Sequence, residues 1–327
     1  MFFIGLSLGY KRMKKILFNT MPAIRSYLGD AFCFSIINDF AFKSGWVYDK
    51  YIDIQYTPYD RQIKYAAYDY YDFVPDQGVF VKSFTEIPIE DCKKGYICRM
   101  VEKMIDEGEY FFALWDETII TNYLFSQNEK GVYEHGCFVY GYDSDSKLFY
   151  SQGYIGGERW KKITIPYDIF FEALSYYPQK GEIAFIGYQL VEGYVWKFDF
   201  LKMIQCLYIY EDTKRKLYNT SAEICFFNDI LKFKSIHYPS VYCIWEHKKI
   251  MRMRIQFLLK NNYLKKYDEL ISIAYQIEED AKIILQLTIK YNLTYNDKIL
   301  LKILHKSNEM IEKEYELIGQ LKMCLNY

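Results

Sequence analysis

Apolar residues in the first two hundred positions fall into short runs that glycine, proline and acidic residues separate. Short apolar runs bounded by turn residues are typical of β-strands. Four of these runs predict strands, at 111–115, 137–140, 148–150 and 184–188. The segment 143–146, Asp-Ser-Asp-Ser, lies between the second and third runs and has the composition of a hairpin turn. The pattern therefore predicts an antiparallel sheet.

Two segments of this part have helical spacing. One helix is predicted from about Phe34 to Lys43, and the other from Tyr167 to Ser175, directly after Pro166. Proline suits the first turn of a helix because an N–H at that position has no partner within the helix. The first part of the chain is therefore predicted to be α+β, with helices beside an antiparallel sheet.

After residue 199 the pattern is helical throughout. No proline follows Pro239, and Gly319 is the only glycine after Gly193. Asp199 is predicted to cap a helix that runs through Tyr210. Two later stripes have the three- and four-residue spacing of amphipathic helices. They comprise Leu270, Ile273, Ala274, Ile277, Ala281, Ile284 and Leu285, with Asp268 near the cap position, and then Leu300, Ile303, Leu304, Ile311, Tyr315 and Ile318.

The change of pattern predicts two domains. Residues 1–198 form the α+β domain, and residues 199–327 form an all-α helical domain or lid. The length of 327 residues agrees with this division, because a domain usually takes about 100–200 residues.

The amino-acid composition excludes fewer classes of function than the hydrophobic pattern excludes classes of fold. The chain has 41 Lys+Arg against 42 Asp+Glu, and a polyanion-binding protein needs a marked basic excess, so nucleic acid is not an expected partner. Aromatic residues make up 20% of the chain. Mutational bias explains this surplus, because Ile, Lys and Asn are also abundant; the alternative is an aromatic substrate groove.

The cysteines and the N-terminus indicate a reducing compartment. The eight cysteines include no CxxC pair, and no His cluster accompanies Cys92 and Cys98, so we expect free thiols and no bound metal. The first ten residues are apolar, but their positive charges follow the apolar stretch instead of preceding it, unlike a signal peptide. No run reaches the ~18–20 apolar residues of a membrane span. We expect a cytoplasmic protein without membrane contact.

A cysteine and a histidine in the α+β part are candidates for nucleophilic catalysis. Such a site needs a thiol of lowered pKa and an imidazole that receives its proton. Cys33 follows Gly29 and precedes an apolar helical stretch, so we expect it at a helix N-terminus, where N–H groups favour a thiolate and could hold an oxyanion. His135 opens a predicted strand. The alternative for Cys33 is a small buried apolar side chain.

These segments resemble a known family. The strand that His135 opens, its Gly-Tyr-Asp end at 141–143 and the hairpin return at 148–150 have the layout of papain-like enzymes. Together with Phe-Ala-Leu-Trp-Asp at 112–116 and Gly-Asp-Ala-Phe-Cys at 29–33, they resemble the N-terminal domain of butirosin biosynthesis protein H and its relatives, over roughly residues 15–190. The resemblance implies a papain-like fold and acyl transfer from a carrier-protein thioester to an amine in antibiotic assembly. A related thiol enzyme joins acyl units in polythioamide biosynthesis.

The third member of the catalytic set departs from the family pattern. Many relatives have Asp or Asn near the end of the returning strand, where this chain has Gln152. Its amide oxygen could accept the imidazole N–H, so Gln152 is the expected orienting residue, with Asp143 as the alternative. A weak third member suits a thioester, which needs less activation than a peptide bond.

Two further sets of residues are candidates for binding. Asp116 and Trp115 are expected to hold the substrate, with a strand-ending turn carboxylate as the alternative for Asp116. Lys248, Lys249 and Arg252 belong to a stretch without Asp or Glu from 247 to 267, which could dock an acidic carrier protein. The alternative is a helix face whose charges are balanced by other segments.

The sequence thus predicts an amide-forming acyltransferase with an acyl-Cys33 intermediate. Its expected partners are a carrier protein, which brings its own phosphopantetheine, and a small amine. No phosphate loop, dinucleotide fingerprint or zinc-protease motif is present, so no further cofactor is expected. The alternatives are a cysteine peptidase or amidohydrolase with the same pair, and a papain-like protein that only binds a carrier or peptide.

Overall fold

The computed structural model describes residues 14–65, 78–127, 131–156, 159–175, 182–216, 222–264 and 268–325. The chain divides into two compact units. The sheet unit comprises Met1–Thr20 and Gln77–Tyr194, and the helical unit comprises Met21–Asp76 and Val195–Tyr327. The predicted boundary at residue 198 lies close to the division at 194. Residues 21–76, however, group with the helices and not with the sheet.

The elements alternate along the chain. The strands are β1 (Lys14–Ile16), β2 (Ile54–Thr57), β3 (Gln62–Tyr65), β4 (Phe80–Pro88), β5 (Tyr110–Asp116), β6 (Glu134–Asp143), β7 (Leu148–Ile155), β8 (Arg159–Pro166) and β9 (Glu182–Leu190). The helices are α1 (Leu28–Lys43), α2 (Val47–Lys50), α3 (Lys94–Asp106), α4 (Glu117–Phe125), α5 (Tyr167–Ser175), α6 (Phe200–Lys216), α7 (Ala222–Phe233), α8 (Tyr238–Lys260), α9 (Asp268–Thr294) and α10 (Asp297–Cys324).

The sheet unit contains a seven-stranded sheet in the order β4-β9-β5-β6-β7-β8, with β1 beside β6. All neighbouring strands are antiparallel. The four predicted strands lie within β5, β6, β7 and β9, and α5 has the predicted limits. The mixed α and β class, the antiparallel sheet and the helical C-terminal region are therefore confirmed.

The alternation of side chains along the strands makes the core of this unit. Phe111 and Trp115 on β5, and Cys137 and Val139 on β6, are buried on one face of the sheet, where they belong to one cluster with Phe170 of α5 and residues of α3. Strand side chains alternate between the two faces, so residues paired across two strands share a face. This rule decides below which candidate side chains can meet.

The helical unit confirms the amphipathic stripes. The helix α6 begins directly after Asp199, whose Oδ1 accepts the backbone N–H of Lys202 at 3.0 Å, as expected of a cap. The two later stripes lie on α9 and α10, and their buried positions include Leu270, Ile303 and Ile318. Within the described residues, none of the helices is long and apolar enough to cross a membrane.

Candidate functional site

His135 has a buried carboxylate as its partner in the sheet unit. His135 is paired with Trp115 across β6 and β5. The chain leaves β5 two residues later and begins α4 at Glu117, so the register brings the Glu117 side chain beside the imidazole. The Nδ1 of His135 contacts the Oε2 of Glu117.

Glu117 is held in place from both ends. Its side chain is only 2% exposed, and its Oε1 accepts the backbone N–H of Gly156 at 2.7 Å. Its own backbone N–H donates to the carbonyl of Tyr133 at 2.8 Å. A carboxylate fixed in this way can accept the Nδ1 proton of an imidazole, which leaves Nε2 to take up a proton. Because the His135 side chain is 21% exposed, this pair can exchange protons with a reacting group.

Gln152 is not placed to orient His135. Gln152 pairs directly with Phe138 across β7 and β6, so these two side chains share a face of the sheet. His135 precedes Phe138 by three positions on a regular part of β6, so its side chain points to the opposite face. Glu117 therefore replaces Gln152 as the candidate orienting residue. The alternative, Asp143, caps the hairpin by accepting the N–H groups of residues 145 and 146.

Asp116 and Trp115 have structural roles instead of the expected substrate contacts. Asp116 is the N-cap of α4: its Oδ1 accepts the N–H of Thr118 at 2.9 Å and that of Tyr133 at 3.1 Å. It is 2% exposed. Trp115 is wholly buried in the core cluster of the sheet unit. The strand-ending carboxylate is therefore the correct interpretation of Asp116.

Cys33 lies in the helical unit, and its local setting differs from the prediction. The helix α1 begins at Leu28 and not near Phe34, so Cys33 is in the second turn. Only the first four N–H groups of a helix lack an acceptor within the helix. The backbone N–H of Cys33 is therefore not an oxyanion donor, and the expected activation by the helix terminus does not apply at this position.

The surroundings of Cys33 are acidic and phenolic. Asp30 lies one turn before Cys33 on α1 and is wholly buried. The hydroxyl of Tyr51 donates to Asp30 Oδ1 at 3.2 Å, and both Asp30 and Cys33 act electrostatically on that hydroxyl. Burial raises the pKa of Asp30 to about 7, against the opposing hydrogen bond from Tyr51. Cys33 itself is 1% exposed.

Lys248, the first basic candidate on α8, is not on a solvated face. Lys248 is wholly buried, and its Nζ lies 2.7 Å from Glu223 Oε1 and from both carboxylate oxygens of Glu314. A side chain without exposed surface cannot contact a carrier protein, so the prediction that Lys248 binds the carrier is wrong.

The other two basic candidates also have partners in the same unit. Arg252 contacts the carboxylate of Glu278. Lys249 lies over the ring of Trp245, with its Nζ 5.5 Å from the centroid. Acidic residues of other helices thus balance charges of this stretch, as the alternative interpretation held.

The cluster around Lys248 also contains metal-ligand types. Among the described residues, Glu223, His247 and Glu314 form the one group whose ligand atoms all lie within 4.8 Å of one another. The ammonium of Lys248 lies among these atoms, 3.3 Å from His247 Nδ1. Burial lowers the pKa of His247 to about 3, so the imidazole is neutral at physiological pH. The chain's own cation thus occupies the position that a metal would take.

The sequence contains one pattern that points to Glu117 as the partner of His135. Two acidic residues, Asp116 and Glu117, follow the predicted strand 111–115 in succession. An acid directly after a strand that pairs with the histidine strand lies at the same edge of the sheet as the histidine. That inference, however, requires knowing that β5 and β6 are neighbours. The pairing of Cys33 with His135 remains a prediction of the sequence.

Comparisons of this chain with protein-family models, with curated proteins and with solved structures give no match.

Proposed function

We propose that this protein is a cysteine-dependent acyltransferase that moves an acyl group from a carrier-protein thioester to an amine. The observation that carries the proposal is the contact between His135 Nδ1 and the buried, doubly held carboxylate of Glu117. A fixed carboxylate beside an imidazole is the arrangement that keeps one ring nitrogen ready to accept a proton. The resemblance of the Cys33 and His135 segments to carrier-dependent amide-forming enzymes supports the choice of reaction, and with it a papain-like fold.

In the first half of the proposed reaction, Cys33 becomes acylated. His135 takes the proton of the Cys33 thiol, and the thiolate attacks the thioester carbonyl. The new C–S bond to Cys33 forms, the bond to the pantetheine sulfur breaks, and His135 returns the proton to the leaving thiolate. Glu117 stabilises the imidazolium that exists between these two transfers.

In the second half, an amine releases the acyl group. The amine nitrogen attacks the acyl-Cys33 carbonyl, and His135 removes a proton from that nitrogen. The amide forms, the C–S bond breaks, and the proton passes to the Cys33 thiolate. The burial of Cys33 supports transfer to an amine over hydrolysis, because a reactive thioester away from bulk water survives until the acceptor arrives.

Mass spectrometry of the intact protein after incubation with an acyl-loaded carrier protein tests the first half. We expect one acyl adduct on the wild type, none on Cys33→Ala, and an unchanged adduct on Cys92→Ala. Cys92 is a matched control because it is a partly exposed cysteine of the sheet unit outside the proposed chemistry. Absence of an adduct on the wild type, or its persistence in Cys33→Ala, contradicts the proposal.

The role of the His135–Glu117 pair is tested by rates. We expect Glu117→Gln to slow acylation by about 10²–10⁴-fold, the range typical of general acid–base catalysis. If His135 and Glu117 act as a unit, His135→Ala and the double variant will show nearly equal rates. Fully multiplicative losses would show that Glu117 does not act through His135.

A binding-only protein is the second candidate, and the position of Cys33 favours it. A nearly unexposed cysteine inside a helix is the usual setting of an inert thiol. In that case a thiol reagent labels Cys33 no faster than the other buried cysteines, and the carrier protein binds without transfer. If the acyl adduct forms but water, and not an added amine, releases it, the protein is a hydrolase.

A further inference from the structure

Two clusters of buried acids and tyrosines lie against α8 in the helical unit. The first is the Lys248 cluster, in which the ammonium contacts Glu223 and Glu314 at 2.7 Å. The hydroxyl of Tyr210 adds a hydrogen bond of 3.0 Å to Glu314. Two carboxylates and a phenol thus surround one ammonium, all of it buried, and the cation offsets the cost of burying the acids.

The second cluster comprises Asp30, Tyr51, Tyr65 and Glu246. All four side chains are buried, with no more than 1% exposed. Tyr51 donates to Asp30 Oδ1, and its ring lies 5.0 Å from that of Tyr65 at an interplanar angle of 74°. Asp30 acts electrostatically on both Tyr65 and Glu246, so the four polar groups share one region.

The second cluster has the chemistry of the first, but among the described residues no ammonium or guanidinium is bonded to its carboxyl groups. The carboxylate oxygens of Glu246 accept the backbone N–H groups of Arg25 and Ser26, each at 2.8 Å. Among the described residues, neither Asp30 Oδ2 nor the Tyr65 hydroxyl has a hydrogen-bond partner. A buried polar atom without a hydrogen bond is energetically costly, and a donor group from a ligand would remove that cost.

The nearby cations of the helical unit are engaged elsewhere. The Arg254 guanidinium acts on Tyr65 electrostatically, but its Nε and Nη2 donate to the carbonyls of Tyr48 and Tyr51, each at 2.7 Å. Lys248 is held by the first cluster. The second cluster therefore combines two acids with two oxygen atoms, Asp30 Oδ2 and the Tyr65 hydroxyl, that have no hydrogen-bond partner among the described residues.

We propose that this cluster binds a small primary ammonium group, which donates one N–H to Asp30 Oδ2 and another to the Tyr65 hydroxyl oxygen. Asp30 precedes Cys33 by one turn of α1, so we assign the bound amine as the acyl acceptor; this assignment, unlike the binding itself, rests on the proposed function. The acceptor binds as the ammonium and gives up a proton to the Asp30 carboxylate before its nitrogen attacks, which lets the site select amines over water.

The charge state of the cluster supports a cation over a water molecule. Burial raises the pKa of Asp30 to about 7 and that of Glu246 to about 8, against the opposing hydrogen bonds from Tyr51 to Asp30 and from Arg25 and Ser26 to Glu246. A water molecule could bond the same two atoms but would not oppose the cost of ionising the two acids. An ammonium compensates it, and its binding will release a proton from the cluster near neutral pH.

Calorimetric titration of the full-length protein with methylammonium chloride tests the binding, with potassium chloride as the probe for unspecific cations. The titration uses the Cys33→Ala protein without any acyl donor, so its result does not depend on catalysis. We expect saturable binding of methylammonium with proton release at pH 7, and no saturation with potassium. Potassium binding of equal strength, or no methylammonium binding, overturns the proposal.

Variants locate the site. We expect Asp30→Asn to weaken methylammonium binding by about 10–100-fold, as for the loss of a charged hydrogen-bond partner, and Tyr65→Phe by about 3–10-fold. The control is Asp49→Asn, because Asp49 is another wholly buried acid of the same unit and already contacts Lys50 at 2.7 Å. It should bind like the wild type.

Each outcome decides one proposal. Unchanged binding in both Asp30→Asn and Tyr65→Phe places the ammonium elsewhere and overturns the assignment; if Asp30→Asn does not fold, Tyr65→Phe alone decides. Binding without any acylation of Cys33 in the wild type retains the ammonium site but removes its role as the acceptor site. Acylation of Cys33 without ammonium binding retains the proposed reaction and refutes this inference.

Discussion

Removing the buried cation Lys248 should destabilise the helical unit more than any change on its exposed faces. The variant Lys248→Met keeps the length of the side chain but removes the ammonium, which now makes three 2.7 Å contacts with two carboxylates. Both carboxylates belong to side chains with at most 1% exposure. Breaking a buried ion pair by removing one partner costs about 3–5 kcal/mol, because the other partner is left as an uncompensated charge.

Urea unfolding followed by circular dichroism at 222 nm measures this loss. With a slope of about 2 kcal/mol per molar urea, the midpoint of the helical unit should fall by roughly 1.5–2.5 M. The control is Lys249→Met, since Lys249 is partly exposed and lies over Trp245 without an ion pair to a buried acid. We expect the control to change stability by under about 1 kcal/mol. Equal losses in the two variants would refute the argument from burial.

The sign of the pH dependence gives a second check on Lys248. Burial alone lowers the pKa of this ammonium, but Glu223 and Glu314 together raise it above its ordinary 10.5. A group whose pKa is raised on folding stabilises the fold below its unfolded pKa, and that contribution is lost as the pH rises through the folded pKa. The wild type therefore has the full contribution at neutral pH. In Lys248→Met the two carboxylates have lost their cation, so lowering the pH should restore part of the lost stability.

Three further predictions concern single acids. Asp116→Ala should lower the free energy of unfolding by about 1–2 kcal/mol in urea titrations, because two backbone N–H groups lose their acceptor; an equal effect of the exposed neighbour Glu134→Ala would refute the cap. Asp199→Ala should cost about 1 kcal/mol by the same mechanism at α6. The pKa of Asp30, raised by burial from 3.8 to about 7, predicts that stability falls as the pH rises from about 4 to 7; this fall should be smaller in Asp30→Asn.

Four of the seven strands of the sheet could be predicted from the sequence because each of these four has a local pattern; β1, β4 and β8 were not predicted. β5 and β6 are largely buried apolar runs, β9 contains an apolar run, and the β6–β7 hairpin has a polar tip, so none of these features needs information from distant residues. The predicted start of α1 was wrong because the true start depends on packing against distant residues. Gly29 and Asp30 have the composition of a turn, yet both are buried inside the helix, where tertiary packing outweighs their propensity.

The candidate site could be predicted only in part. His135 was found because a histidine at the start of a strand is visible in the sequence, whereas Glu117 becomes its partner through the pairing of β5 with β6. The expectation for Gln152 rests on its position near the end of the returning strand. A shift of one residue in strand register moves a side chain to the other face of a sheet, so distance along the chain cannot decide such a contact.

The charges on α8 show why a charge run does not identify a surface. Lys248 and Arg254 are wholly buried, and their partners come from segments far away in the sequence. Burying a paired charge often stabilises a protein no better than an apolar residue would. Burial alone therefore does not mark function; the informative property is whether the buried charge is compensated. Lys248 contacts two carboxylates and Arg254 donates to two backbone carbonyls, so the burial of both charges is explained by contacts within the protein. Asp30, unlike these two residues, keeps an oxygen that the described residues leave without a hydrogen bond, and a bound ammonium would offset the cost of burying this acid.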